Sequence, residues 1–180
     1  MKKRPNILFI FTNQHIASAM SCVGNPDVQT PVMDRLASSG VRFENAYCCQ
    51  PVCGPARAGL FTGQFPHSNG SWANSMALSA NTKTIGQRLH DHGVHTAYIG
   101  KWHLSGAPHG NRWVPPQQRA DFQHFIGWES HHVNHYDGLI WDEESREIFT
   151  PQAWREARID SWQAGIPDVS AHMVIHAYKN

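Results

Sequence analysis

Residues 7–11 (Ile7-Leu8-Phe9-Ile10-Phe11) are continuously apolar, with no polar alternation. Such a run reads as a strand buried on both faces, hence parallel and central in its sheet. The polar residues Thr12-Asn13-Gln14-His15 follow at its C-terminal end. Thr30-Pro31 opens a helix, with threonine as N-cap and proline at the first helical position. That helix runs through Leu36 and stops at Gly40. Residues 41–47 alternate and read as a short strand. Residues 55–62 form a short helix closed by Gly63, and residues 84–92 a clearer one, with Ile85 and Leu89 on one face and Gly93 as its stop. A strand over 94–99 ends in Gly100-Lys101-Trp102-His103. Beyond it come a loop over 107–119, a strand over 121–128, a helix over 151–164 behind Thr150, and a last helix over 167–178. Strands alternating with helices predict an α/β domain with a mostly parallel sheet sandwiched by helices. Sites in such sheets lie beyond the carboxyl ends of the strands. Residues 13–15, residues 101–103 and the segment from Cys53 to Arg57 are therefore expected to converge.

The 180 residues are one domain's worth by length. A chain of that size buries roughly 70% of its unfolded surface. Hydrophobic residues make up 41% and charged residues 16%, which argues against a disordered, solvating chain. Lys+Arg is 15 against 14 Asp+Glu, a net charge of +1 that gives no electrostatic case for nucleic acid or an anionic membrane. The apolar run after the basic start is shorter than a signal-peptide core of about 7–15 residues. It is also far shorter than a membrane span of about 20. A cytoplasmic protein is expected, with its four cysteines reduced. The 13 histidines hint at site chemistry without locating it.

In Cys53-Gly54-Pro55-Ala56-Arg57, the proline near a helix start puts Cys53 at the N-terminal mouth, where free amides and the dipole favour an anion. Arg57 lies about one turn on and can reach back to Cys53. A guanidinium fork suits a tetrahedral oxyanion. By itself this segment divides evenly between a nucleophile built for sulfate or phosphate and a buried cysteine behind a capping proline. The second cluster decides. Lys101 and His103 stand two residues apart after a strand, and on an extended segment they share a face. Lysine supplies charge to an oxyanion and histidine a proton to a leaving oxygen. The glycine spacing, and Trp102 where Ser or Thr should follow the lysine, exclude a phosphate-cradling P-loop.

Cys53-Gly54-Pro55-Ala56-Arg57-Ala58-Gly59-Leu60-Phe61-Thr62-Gly63 resembles the first signature of the type I sulfatases, and Gly93 through His103 resembles their second. Arg4-Pro5-Asn6-Ile7-Leu8-Phe9-Ile10 resembles their first strand, and the likeness runs nearly continuously to about Leu104. The resemblance implies the alkaline-phosphatase-like α/β/α fold and hydrolysis of a small-molecule or saccharide sulfate ester. It implies that Cys53 is oxidised to formylglycine by a formylglycine-generating enzyme. It also implies that Arg57 and Lys101 hold the aldehyde hydrate and the sulfate oxygens, that His103 orients or protonates the hydrate, and that a divalent cation, usually calcium, assists. By position its ligands include Asn13, Gln14 and residue 53.

The chain departs from that pattern in two ways. The family's first strand normally ends in a metal-binding Asp, and Asn13 here removes one unit of anionic charge. The family's remaining ligands lie late in a longer catalytic domain, and nothing after His135 supplies them. The chain therefore reads as the N-terminal portion of such a domain, incomplete on its C-terminal side, with an uncovered sheet edge that favours self-association. Two other readings stay open: a phosphonate or phosphate monoester hydrolase with the same apparatus, and a non-catalytic remnant. Cys48-Cys49 beside Cys53 is poorly spaced for zinc. His131-His132-x-x-His135 lacks the glutamate of a zinc-protease helix. Trp102 divides evenly between pocket wall and packing.

Overall fold

The computed structural model describes residues 6–13, 15–106, 113–129, 139–142, 144, 146–149 and 175–179. The helices are α1 (Pro31–Ser39), α2 (Cys53–Thr62), α3 (Pro66–Asn69) and α4 (Ile85–Asp91). The strands are β1 (Phe9–Asn13), β2 (Ala97–Lys101), β3 (His124–Trp128), β4 (Leu139–Trp141), β5 (Glu147–Phe149) and β6 (Ile175–Lys179). They form one sheet in the order β1-β6-β2-β3-β4-β5. β2 runs parallel to both β3 and β6, with Ala97 opposite His124 and Ile99 opposite His176. β4 and β5 extend the sheet antiparallel from β3. The contacts divide the chain into two compact units, residues 1–11 with 48–178, and residues 12–47 with 179–180.

In the smaller unit, α1 starts at Pro31 and stops at Gly40, as its sequence signals predict. Thr30 makes no side-chain cap bond. Its hydroxyl instead accepts from the Ser21 amide at 2.9 Å, and the Asp34 carboxylate accepts from the Ser21 hydroxyl at 2.7 Å. These bonds hold the Asp34 carboxyl below its ordinary pKa, with the Ser21 hydroxyl the largest cause. Residues 41–47 are not the strand their alternation predicts. They are irregular, with Phe43 79% exposed, and among the described residues no neighbouring strand takes their backbone bonds.

The larger unit carries the site. α4 opens with a reciprocal box: the Gln87 amide donates to the Thr84 hydroxyl at 3.3 Å, and the Thr84 amide to Gln87 Oε1 at 2.9 Å. β2 is buried along its whole length. It, not β1, is the fully covered parallel strand. β1 lies at a sheet edge, and Ile10 is 58% exposed. An apolar run records what a strand could bury, whereas its burial depends on elements far along the chain. The helix predicted over 167–178 is wrong at its end, where β6 pairs with β2 instead. Residue-by-residue helical signals are overridden there by the sheet's open edge. The helix predicted over 151–164 lies outside the described residues.

α2 is bound to β2 by an aromatic core. Phe61 packs against Tyr98 and Trp102 with ring centroids 5.9 and 5.2 Å away, and Phe122 and Phe125 close the cluster. Ala58 and Phe61 bury one face of the helix, three residues apart as helical geometry requires. Trp102 is therefore packing and not a pocket wall. Its indole Nε1 has no hydrogen-bond partner among the described residues. Gly59 lies on the other side, where an added Cβ would collide with Cys49 Sγ. Gly63 ends the helix with φ 68°, a left-handed conformation that glycine adopts without penalty.

Two outcomes are expected. Gly59→Ala destabilises the chain by about 1–3 kcal/mol through overpacking. In a Cys49→Ala background the same change is neutral or stabilising, because the clash is gone and alanine favours a helix over glycine by about 1 kcal/mol. A double-mutant cycle in urea measures the coupling. The chain of 180 residues is also expected to self-associate through the exposed β1 edge. Leu8→Lys with Ile10→Lys should reduce that association in size-exclusion chromatography with light scattering.

Candidate active site

Cys53 is the first residue of α2 and is partly exposed. The sequence predicts a cradle of free amides around it, and the structure shows most of that cradle already used. The Val52 amide donates to Gln50 O at 2.9 Å, the Gly54 amide donates to Asn74 Oδ1 at 2.8 Å, and Pro55 has no N–H. Asn74 thus caps the helix from another segment, in place of Val52, whose side chain makes no cap bond. A Cβ at Gly54 would sit 3.3 Å from both Ala73 O and Asn74 Oδ1, so glycine allows this close approach. The positive charge for an anion here must come mainly from side chains.

Arg57 supplies it. The residue is only 3% exposed. Its Nη1 donates to the Lys101 carbonyl and, at 3.3 Å, to the Tyr98 hydroxyl. The Tyr98 hydroxyl donates to the same Lys101 carbonyl. The guanidinium carbon also stands 5.1 Å from the Phe11 ring centroid, a cation–π contact. Burial pushes the Tyr98 phenol up to about 12, against an opposing pull from the Arg57 charge. Tyr98 is therefore a neutral hydroxyl that donates one bond and accepts another. The two segments singled out in the sequence, 53–63 and 93–103, meet at this carbonyl.

Lys101 ends β2, and Lys101 and His103 are 5% and 6% exposed. Their expected common face does not follow from strand alternation, because the strand stops at Lys101 and His103 has φ 59°. The Trp102 amide between them donates to Trp128 O at 2.7 Å, continuing the pairing with β3, and the chain leaves the extended line at His103. Arg57 and Lys101 are thus in direct contact. Cys53 stands one helical turn from the former, and His103 two residues from the latter. Tyr98 and Asn74 were not legible as site residues. Tyr98 falls inside the second segment but carries no catalytic chemistry of its own. Asn74 is 20 residues from the amide it caps.

Gln14 and the side chain of Asn13 lie outside the described residues, as do His131, His132 and His135. Among the described residues no three His, Cys, Asp or Glu side chains group as a cation site. Likewise, no helix among them is long and apolar enough to cross a membrane.

Comparison with known proteins shows what family the chain is similar to. The sulfatase family model matches residues 5–161. The chain is 45% identical over 121 residues to the uncharacterized sulfatase YidJ of Escherichia coli, covering 67% of this chain and 24% of that protein. It is 38% identical over 141 residues to an N-acetylglucosamine-6-O-sulfatase of Bacteroides thetaiotaomicron, covering 78% of this chain and 24% of that protein. It thus spans about a quarter of the length of these curated relatives. A structure solved with its substrate D-glucosamine-2-N,6-O-disulfate superposes with a TM-score of 0.80 at 32% identity, over 97% of this chain and 34% of that one. The match to the family model over most of its length makes this chain a member of the sulfatase family.

Proposed function

We propose that the protein carrying this chain hydrolyses sulfate esters of saccharides, with residue 53 as the nucleophile after Cys53 is oxidised to formylglycine by a generating enzyme. The observation that carries this reading is the joint at Lys101 O, which fixes Arg57 and the end of β2 together one helical turn from Cys53. The saccharide class is supported by the relative that acts on N-acetylglucosamine 6-sulfate and by the neighbour bound to a glucosamine disulfate.

The hydrated aldehyde supplies two hydroxyls. One attacks sulfur as the S–O bond to the saccharide breaks and the leaving alkoxide takes a proton. Deprotonation of the other expels sulfate by breaking its C–O bond as the carbonyl re-forms, to be rehydrated by water. The rest is the work of this chain's own side chains. Arg57 uses Nη1 on Lys101 O and Tyr98, so the outer part of its fork can meet sulfate oxygens. Lys101 adds a second positive charge in a site with little water, where charge stabilisation is worth most. His103 holds or delivers a proton at the hydrate. Tyr98 stays neutral and keeps the guanidinium in place. We assign Asn13, Gln14 and residue 53 as oxygen donors toward a calcium ion. When bound, the ion would supply positive charge against the sulfate and lower the pKa of the attacking hydroxyl; two of these three donors are neutral amides.

Co-expressed with a formylglycine-generating enzyme, the chain should show the mass loss of thiol to aldehyde in the peptide containing Cys53, and that peptide should react with a hydrazide probe. A wholly unmodified thiol would overturn the sulfatase reading. Calorimetry with calcium is expected to give weak binding, strengthened by Asn13→Asp, which restores one anionic ligand. Tight binding by the unaltered chain would place the ligands elsewhere.

A further inference from the structure

We propose that Glu129 is a positioning residue for His103: it grips the residues that follow the histidine and so fixes where the imidazole stands at the end of β2. This rests on the reading of His103 as a site residue and deepens it.

Glu129 directly follows β3 and is 0% exposed. Its Oε1 accepts the Ser105 amide at 3.0 Å. Burial, the largest cause, pushes the carboxyl above its ordinary range, while hydrogen bonding from the Ser105 side chain and from the backbone of residues 104–106 favours the charged form. Its Oε2 has no hydrogen-bond partner among the described residues. A carboxylate buried on these terms is a poor device for stability, since an apolar side chain of the same size would cost less to bury. What it does accomplish is local. It holds the Ser105 amide of a loop that begins where His103 ends.

His103 needs such a grip. With φ 59° it is a non-glycine residue in the left-handed region, a conformation that persists only when its surroundings over-determine it. Three restraints are visible. Before the histidine, the Trp102 amide is tied to Trp128 O at 2.7 Å. After it, the Leu104 carbonyl accepts the Leu78 amide at 2.9 Å. Further on, Gly106 has φ 74° and lies so close to residue 77 that an added Cβ would stand 2.7 Å from Ala77 Cβ. Glu129 supplies the remaining restraint from the β3 side, on the amide between these last two. With the carboxyl removed, residues 104–106 would keep their contact to 77–78 but lose their tie to β3. The backbone at His103 could then relax toward the extended region and carry the imidazole with it.

The test uses the full chain and three variants, Glu129→Ala, Glu129→Gln and Gly106→Ala. Hydrogen–deuterium exchange read by mass spectrometry tolerates self-association. It reports the amides of residues 104–106 and, through the slow imidazole C2–H exchange, the surroundings of His103. Glu129→Ala should speed amide exchange in this loop about tenfold, the effect of one lost hydrogen bond, and should change the C2–H exchange rate of His103. Glu129→Gln, which keeps a carbonyl acceptor for Ser105, should restore both. A purely structural role would lower the melting temperature and leave the His103 rate alone. An unchanged His103 rate in folded Glu129→Ala would overturn the proposal. Should that variant not fold, Gly106→Ala disturbs the same loop from the side of Ala77 and is expected to move the His103 rate, and an unmoved rate there would overturn it equally. Inorganic sulfate provides the separate check on the proposed function. If the His103 rate responds to Glu129→Ala but not to sulfate, the positioning role stands and the sulfate site fails. If it responds to sulfate but not to Glu129→Ala, the reverse holds.

Discussion

The Lys101 carbonyl is the point on which the rest of this structure depends. It is a backbone acceptor at the end of a fully buried strand, and it receives both the Arg57 guanidinium and the Tyr98 hydroxyl. A carbonyl has two lone pairs, so both donors can be served at once. A buried guanidinium without such a partner would be costly. Here the cost is met by a main-chain oxygen, a neutral phenol and the face of Phe11. None of these three carries a negative charge. That suits the proposed role of Arg57 toward a sulfate oxyanion, because a carboxylate partner would have consumed the charge.

The aromatic core behind this joint explains why it is rigid. Phe61 comes from α2, Tyr98 and Trp102 from β2 and its exit, and Phe122 and Phe125 from the next strand and its approach. Aromatic pairs in tilted and edge-on contact lock the spacing of helix and sheet beyond what their buried area provides. Every residue of the second signature segment from Thr96 to Leu104 is buried. The segment is therefore at once core and site. A change there acts through packing as well as chemistry, and loss of function from such a change does not by itself identify a catalytic group.

The other side of this economy is exposed apolar surface. Leu8 just before β1 and Ile10 on it, and Val41, Phe43 and Tyr47 after α1, are open to solvent among the described residues. Singly exposed hydrophobics need no explanation, but a sheet-edge strand with alternate apolar residues open to water is an association hazard. The well-covered region is instead the one around β2 and α2, where the family signatures lie.

The sequence by itself determined the local and the chemical. Pro31 and Gly40 bound α1, and Gly63 ends α2, because fixed φ and left-handed φ are properties of single residues. The two signature segments were legible as strand-exit and helix-entry clusters, because Cys53, Arg57, Lys101 and His103 carry charge or nucleophilic chemistry that stands out from its surroundings. What the tertiary structure alone decided was whatever depends on a distant partner. Asn74 caps Cys53's helix from another segment, and nothing in residues 50–57 calls for it. Tyr98 reads as one more apolar strand residue until its hydroxyl is seen on the Lys101 carbonyl. β2 and not β1 takes the fully covered place in the sheet, although β1 has the purer apolar run. His103 leaves the extended line because Trp128, Glu129 and Leu78 bond the chain on either side of it. In each case the sequence states which groups need a partner, and only the folded chain settles which partner comes within hydrogen-bonding or packing distance.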